Sequence, residues 1–348
     1  MLPLPQPLRR ARSQKRGRRA LGTGAATALV AVGALGLSAC GTATSDTADG
    51  RISVVASTNV WGSVAAAVAG EHADVTSIIS EPSADPHSYE ASPRDAAALT
   101  DADLIVYNGG GYDEFVDDIL ASGADRPTVN AYELLGAEND LHTDHAESEA
   151  APTSTDADAD GHDHDHGAVN EHVWYDIATV DSVAHRIASE LAELDPANAG
   201  AYTANAEAFH EKLHGISAVT ADIAAKYPHT AIAQTEPIAY HLIAAADLED
   251  RTPADFTTAI EEGNDPPPAA IAATRDLLRG KQVALLVYNS QTEDKVTRDI
   301  RAVAESAGIP VVEVTETLPE GVDYVQWQLS TAEQLAAALD AAAARPAA

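Results

Sequence analysis

Four side chains with metal-binding chemistry lie in loops between the predicted helices and strands of this 348-residue sequence. Each half of the chain contributes two of them. Two imidazoles and two carboxylates suit a divalent first-row metal such as Zn²⁺ or Mn²⁺ and do not suit soft-thiolate chemistry. A single His or Glu in a loop is more often solvated than ligating, so the prediction of one shared site depends on their joint placement. The four residues are His87, His172, Glu236 and Glu316.

Residues 141–171 form a segment rich in Asp, Glu, His, Ser and Thr, with almost no large apolar residue. Such a segment cannot bury a core, which predicts a mobile loop inserted in the first half of the fold. Its histidines alternate with acids and can chelate zinc or nickel transiently, although a solvated insert without function is the alternative. Because imidazole releases zinc when it is protonated, we expect capture to weaken in mild acid. The loop histidines are His142, His145, His162, His164 and His166.

The elements that must position these ligands alternate between short apolar strands and helices. The predicted strands are 52–56, 75–79, 104–107, 230–233, 283–288 and 311–314. The predicted helices include 60–69, 93–99, 180–194, 268–278, 294–307 and 331–344. This alternation predicts an α/β fold with parallel sheets, in which ligands bind beyond the carboxyl ends of the strands.

Residues 196–227 carry apolar side chains at helical spacing along one face. Asp195 is the expected N-cap of this helix and Pro196 its first residue. Unbroken, the helix is about 45 Å long, which exceeds what one small lobe needs. The pattern therefore predicts a rigid strut that joins an N-terminal lobe, residues 51–195, to a C-terminal lobe, residues 228–348.

The first forty residues indicate the compartment. Seven basic residues precede an apolar run over Ala20–Leu37, which ends in Leu-Ser-Ala before the only cysteine, Cys40. We expect residues 1–39 to be a signal peptide, Cys40 to be lipidated and residues 40–50 to be a flexible tether. A retained membrane span is disfavoured because the run is short and rich in Gly and Ala. The predicted location is extracytoplasmic and lipid-anchored to the cell membrane.

The charge of the predicted mature chain favours cations as partners. Removal of the signal leaves 14 Lys and Arg residues against 54 acids, a net charge of about −40. Such a surface repels nucleic acid and anionic lipid and concentrates cations. Acidity that serves only solubility is the alternative explanation.

These motifs resemble the zinc and manganese family of transporter solute-binding proteins. Asp85-Pro86-His87 is similar to the first ligand motif of the family. His172-Val173-Trp174 is similar to the second, with Asn170-Glu171 in place of the usual Asp-Pro. Glu236 and Glu316 match the third and fourth positions. The resemblance implies two lobes bridged by one long helix, and a monomer that passes its ion to the membrane permease of an ABC transporter.

The identity of the metal and the roles of several side chains each have two interpretations. Two histidines with two carboxylates resemble the manganese members, whereas the His-rich loop resembles the zinc members, so zinc is predicted and manganese is the alternative. His210 and His214 lie four residues apart and could face a metal together, but a solvated helix face is favoured. Asn289 and Gln291 are expected either to orient Glu236 or Glu316 or to cap the next helix.

Two other functions deserve comparison with metal capture for transport. A surface adhesin or a metal buffer acting through the loop alone is one of them. A metallohydrolase is the other, and it is disfavoured because the sequence lacks a His-Glu-x-x-His motif and a nucleophile motif. We therefore expect no catalysis.

Overall fold

Four parallel strands from the first half of the chain form a sheet in the order β2-β1-β3-β4. The computed structural model describes residues 51–81, 84, 86–123, 126–136 and 170–345. Elements of this N-terminal lobe are β1 (Ile52–Thr58), α1 (Asn59–Ala69), β2 (Ala73–Ile79), α2 (Pro93–Asp101), β3 (Leu104–Tyr107), α3 (Glu114–Ala121) and β4 (Thr128–Asn130). Cys40, the predicted signal peptide and the five loop histidines lie outside the described residues.

The second half of the chain repeats this arrangement, with a parallel sheet in the order β6-β5-β7-β8. Its elements are β5 (Thr230–Gln234), α6 (Tyr240–Ala245), β6 (Leu248–Asp250), α7 (Ala254–Glu261), α8 (Pro268–Arg279), β7 (Leu286–Asn289), α9 (Lys295–Ser306) and β8 (Val311–Val314). Every strand pair in both sheets is parallel. The predicted α/β fold with two parallel-sheet lobes is confirmed.

Three long helices complete the fold: α4 (Ile177–Leu194), α5 (Ala199–Lys226) and α10 (Tyr324–Ala343). The linking helix α5 has 28 residues, so at the usual rise it is about 42 Å long. It packs against α1 and α4 of the N-terminal lobe and against α6 and α10 of the C-terminal half. Within the described residues, no helix is both long and apolar enough to cross a membrane.

Alternate residues of the strands face two different apolar layers, as the two-residue period of a strand requires. In β1, Val54 belongs to a central cluster and Val55 to an outer cluster under α2 and α3. In β7, Val287 belongs to the same central cluster and Leu286 to a second outer cluster under α7 to α9. The central cluster contains residues of both lobes, so the two sheets share one apolar interior.

Hydrogen bonds also join the two halves. The side chain of Asn59 donates to the carbonyl of Leu318 at 3.0 Å and accepts from its backbone N–H at 2.9 Å. The buried hydroxyl of Tyr324, on α10, donates to the carbonyl of Trp174 at 2.7 Å. The bonds of Asn59 hold the loop before α10, and the bond of Tyr324 holds α10 itself, against the lobe that contains His87 and His172.

Several helix starts differ from the prediction, and two of these differences have a visible cause. The linking helix begins at Ala199 rather than Pro196, and Asn198 is its N-cap. Asp195 instead accepts hydrogen bonds from the side chains of Asn198 at 2.6 Å and Tyr202 at 3.1 Å, so it braces the turn without capping the helix.

Helix α10 begins at Tyr324 rather than at residue 331, because Asp323 caps it by accepting from Gln326 N at 2.8 Å. The buried Gln328 interrupts the apolar pattern of this first part of the helix. This polar residue on the buried face explains the late predicted start.

Candidate metal centre

The buried histidine at the start of a 3-10 turn has one nitrogen prepared for a metal. His172 has no solvent exposure, and the turn follows it over Val173–Tyr175. Asn170 Oδ1 lies 3.1 Å from its Nδ1. An amide oxygen can only accept, so Nδ1 carries the proton and Nε2 presents its lone pair. Nε2 is buried and has no hydrogen-bond partner among the described residues.

Burial also keeps His172 in the form that binds metals. Desolvation first, and then the neighbouring imidazoles His87 and His241, hold the pKa of His172 well below its ordinary value. The ring is therefore neutral at neutral pH, as ligation requires. Trp174 packs against it with 5.2 Å between ring centroids.

Asn170 holds this part of the site in place. Besides its contacts with His172, it donates from Nδ2 to the carbonyl of Pro237 at 3.1 Å and accepts at its own carbonyl from His241 Nε2 at 2.9 Å. The residue that stands in the place of the usual Asp therefore connects the second ligand motif to the loop that carries Glu236.

His87 lies beside His172 at the end of the loop that follows β2. The two ring centroids are 5.7 Å apart. Glu171 joins them, because one ligand atom from each of the three residues lies within 4.8 Å of the others. His87 is exposed, whereas His172 is buried, so the pair combines a solvent-facing ligand with a fixed one.

The two predicted carboxylate ligands lie together on the C-terminal side. Glu236 follows β5 and is 3% exposed, and Glu316 follows β8 and is 2% exposed. Asn289, the last residue of β7, donates from Nδ2 to Glu236 Oε2 at 2.6 Å and to Glu316 Oε1 at 2.9 Å. Burying two adjacent carboxylates is unfavourable unless hydrogen bonds or a cation compensate. The amide of Asn289 supplies part of that compensation.

Other side chains fix the orientation of these carboxylates. Thr292 donates to Glu236 Oε1. Gln291 accepts from the backbone N–H groups of Glu316 and Thr317. Of the two roles predicted for Asn289 and Gln291, contact with the carboxylates and their loop is the one observed. Asp294 caps α9, with Thr297 completing a capping box.

Tyr112 adjoins both halves of the centre. Its ring centroid is 4.7 Å from that of His87 and 5.9 Å from that of His172. Its hydroxyl donates to Glu316 Oε2 at 3.2 Å. The tight turn before it is held by the buried Asp113, which accepts from the backbone N–H of Asn108 and of Gly109 at 2.7 and 2.8 Å.

Glu261, at the end of α7, is a further acid of the centre that sequence reasoning missed. Its Oε1 lies 4.0 Å from His172 Nδ1, and its side chain is 22% exposed. Burial, reinforced by neighbouring carboxylates with Glu171 foremost, raises the pKa of Glu261 to about 8. At neutral pH this group is mostly protonated, and a nearby cation would favour its ionised form.

The sequence gives only weak signals for Tyr112 and Glu261. Tyr112 directly follows three glycines, which indicate a turn but not a contact with the distant Glu316. Phe256 and Ile260 have the four-residue spacing of a helix face, which could have indicated α7 but not the role of its last residue.

Comparisons with known proteins agree with this architecture. Residues 54–338 match the family model ZnuA, described as the periplasmic zinc-uptake complex component A. The metal ABC transporter substrate-binding lipoprotein SloC of Streptococcus mutans is 27% identical over 290 residues, covering 81% of this chain and 86% of that protein. The manganese ABC transporter substrate-binding lipoprotein PsaA of Streptococcus pneumoniae is 25% identical over 277 residues, covering 79% and 83%.

A solved structure shares the fold. The periplasmic zinc binding protein TroA of Treponema pallidum superimposes with a TM-score of 0.64 at 17% identity, covering 83% of this chain and 99% of that one. Members of the matched family are solute-binding proteins rather than enzymes. Because the family model spans residues 54–338, this chain belongs to the ZnuA family of periplasmic zinc-uptake components.

Proposed function

We propose that this protein captures a divalent first-row transition metal through His87, His172, Glu236 and Glu316 and passes it to the permease of an ABC transporter. The observation that carries the proposal is the buried Nε2 of His172, which presents a lone pair and has no hydrogen-bond partner among the described residues. A neutral imidazole fixed in this tautomer is already in the form that coordinates a metal ion.

The remaining ligands complete a set suited to reversible capture. His87 is adjacent to His172. Tyr112 contacts both imidazoles and Glu316, and Asn289 joins Glu316 to Glu236. Two imidazoles and two carboxylates fill a tetrahedral site and leave no position for a reactive water, which favours binding over hydrolysis. The neighbouring acids Glu171 and Glu261 add negative charge that attracts a cation.

Zinc is the metal that we propose as the cargo. The His-rich segment 141–171 supports zinc, because alternating imidazoles and carboxylates bind it transiently before transfer. Manganese is the second candidate, since hard oxygen ligands make up half of the proposed set. The named relatives include both a zinc-binding and a manganese-transport protein.

Metal titration of purified variants tests the site. His87→Ala and Glu236→Ala should each weaken zinc binding by at least about 100-fold, because losing a direct ligand should cost more than losing a group that only orients one. The matched control deletes residues 141–168 and keeps Asn170, whose hydrogen bonds hold His172. If tight one-to-one binding disappears with the deletion and persists in both point variants, the proposed site is wrong.

Uptake in cells separates zinc from manganese. Divalent zinc outcompetes manganese for most sites in a test tube, so affinity alone does not identify the cargo. We expect a strain that lacks this protein to lose uptake of radioactive zinc at low concentration and to keep manganese uptake. The reverse pattern would establish manganese as the cargo.

The proposed location follows from Cys40. A lipid-anchored binding protein should be recovered with the membrane fraction, and Cys40→Ser should release it to the medium or periplasm. Recovery of both proteins in the soluble fraction would contradict the anchor without affecting the metal site.

A further inference from the structure

A second group of potential metal ligands lies on the surface formed by α4 and α5, away from the centre described above. Asp181 and His185 are one turn apart on α4, and His210 and His214 are one turn apart on α5. Residues four apart share a helix face, and the two helices pack closely along their lengths. Two rigid helices thus present four ligand side chains to each other.

Three of these residues already have the spacing of a coordination shell. One ligand atom each from Asp181, His185 and His210 lies within 4.8 Å of the other two. His210 Nδ1 is hydrogen-bonded to Asp181 Oδ2 at 2.8 Å. His214 continues the group, with its ring centroid 4.6 Å from that of His210.

A simple His–Asp pair explains only part of this geometry. Asp181 Oδ1 is buried and accepts no hydrogen bond from the described residues. His185 Nε2 lies 3.7 Å from this oxygen, which is too long for a hydrogen bond. Two ligands bound to one zinc at about 2.0–2.2 Å are roughly 3–4 Å apart, and the separation of Oδ1 and Nε2 matches that range.

A pocket beside the group gives an ion access to part of it. Asp181, His210 and His214 line this pocket of about 160 Å³ together with Ile177 and Leu213, and His185 is not among its lining residues. The side chain of Asp181 is only 14% exposed, whereas His185 and His210 are 41% and 36% exposed. A nearly buried carboxylate is thus flanked by accessible imidazoles, and a metal can enter without opening the helix pair.

We propose that Asp181, His185 and His210 form a second binding site for a late first-row divalent metal such as Zn²⁺, with His214 positioned as the fourth ligand. Imidazole-rich ligand sets suit zinc, nickel and copper. With only one carboxylate, the group does not provide the oxygen-only coordination that calcium and magnesium prefer. The proposal is independent of the transport site, because the two share no residue.

Zinc titration of the full chain tests the second site. The double variant His185→Ala/His210→Ala should bind one zinc fewer per chain than the unaltered protein, with unchanged binding of the tightest equivalent. The matched control is His229→Ala. His229 is exposed and lies 3.2 Å from Asp247, so it also forms a His–Asp pair, but the pair does not include a second histidine. An equal number of zinc ions in the double variant and the control would overturn the proposal.

Zinc-edge anomalous diffraction from crystals soaked in zinc chloride gives a local readout that other histidines do not affect. We expect a peak bonded to Asp181, His185 and His210 that disappears in His185→Ala, an exposed substitution that leaves the helix packing intact. A map without this peak, or a peak bonded to His210 and His214 without Asp181, would contradict the assignment.

Discussion

The hydroxyl of Tyr112 in the N-terminal lobe donates a hydrogen bond to Glu316 in the C-terminal lobe at 3.2 Å. The same aromatic ring lies edge-on to His87 and His172. One side chain therefore contacts three of the four proposed ligands and connects the imidazole pair to the carboxylate pair.

Tyr112→Phe should weaken zinc binding about 10-fold, the lower end of the effect seen when a hydrogen bond that orients a metal ligand is lost. Competition with a coloured zinc chelator measures the change. Tyr240→Phe is the matched control, because Tyr240 is 50% exposed and should bind zinc normally. Unchanged affinity in Tyr112→Phe would show that Glu316 does not depend on this contact.

Asn289→Ala should have a larger effect, about 10- to 100-fold, because its amide donates to both buried glutamates. Without it, the two carboxylates lose a shared donor and repel each other. The same chelator competition applies, with Asn264→Ala as the control for an exposed asparagine. Equal affinities for the two variants would exclude a positioning role for Asn289.

Zinc binding near pH 7 should release roughly one proton, and Glu261 should be its source. Its pKa of about 8 in the free protein keeps it protonated at neutral pH, and a bound cation lowers that pKa. Affinity should therefore increase as the pH rises from about 6 to 8. His172 contributes little to this dependence, since its lowered pKa keeps it neutral throughout.

Calorimetry in buffers of different ionisation enthalpy measures the released protons. Glu261→Gln should abolish most of the release and flatten the pH dependence, whereas the exposed control Glu249→Gln should not. Proton release that persists in Glu261→Gln would assign the dependence to another group. Weaker capture in mild acid is the direction that the sequence predicted from the protonation of imidazole, and the protonation of Glu261 acts in the same direction.

Gly109→Ala should destabilise the fold more than Gly111→Ala, although both glycines have positive φ, at +73° and +88°. A left-handed backbone costs an alanine about 1–2 kcal/mol at either position. A Cβ at Gly109 would also meet Asn130, and overpacking adds about 1–3 kcal/mol. Urea unfolding compares the two, and equal losses would contradict this account of the turn.

The strands and long helices could be predicted because their apolar patterns are local. Strands β3 and β8 begin and end at the predicted residues. Strands β4 and β6 have three residues each, which is too few to show a period. Two of the three residues of β6 are exposed acids, so nothing in its composition distinguishes it from a loop.

The residues of the candidate site also fall into those that the sequence could identify and those that it could not. His87, His172, Glu236 and Glu316 lie in short motifs, so the sequence alone could nominate them. Tyr112 contacts a residue 204 positions away, and no local pattern encodes such a pairing. Glu261 enters the centre only because α7 packs on the outer face of the second sheet, which is a property of the tertiary fold.

The shared central cluster limits how this protein can be altered. Each lobe covers its inner face with side chains supplied by the other, so neither half carries a complete interior. A chimera that takes one lobe from a relative would bring two unmatched faces into contact, and a chain cut within α5 would yield fragments that refold only when mixed. Evolution of the metal site in either lobe is therefore tied to the packing of both.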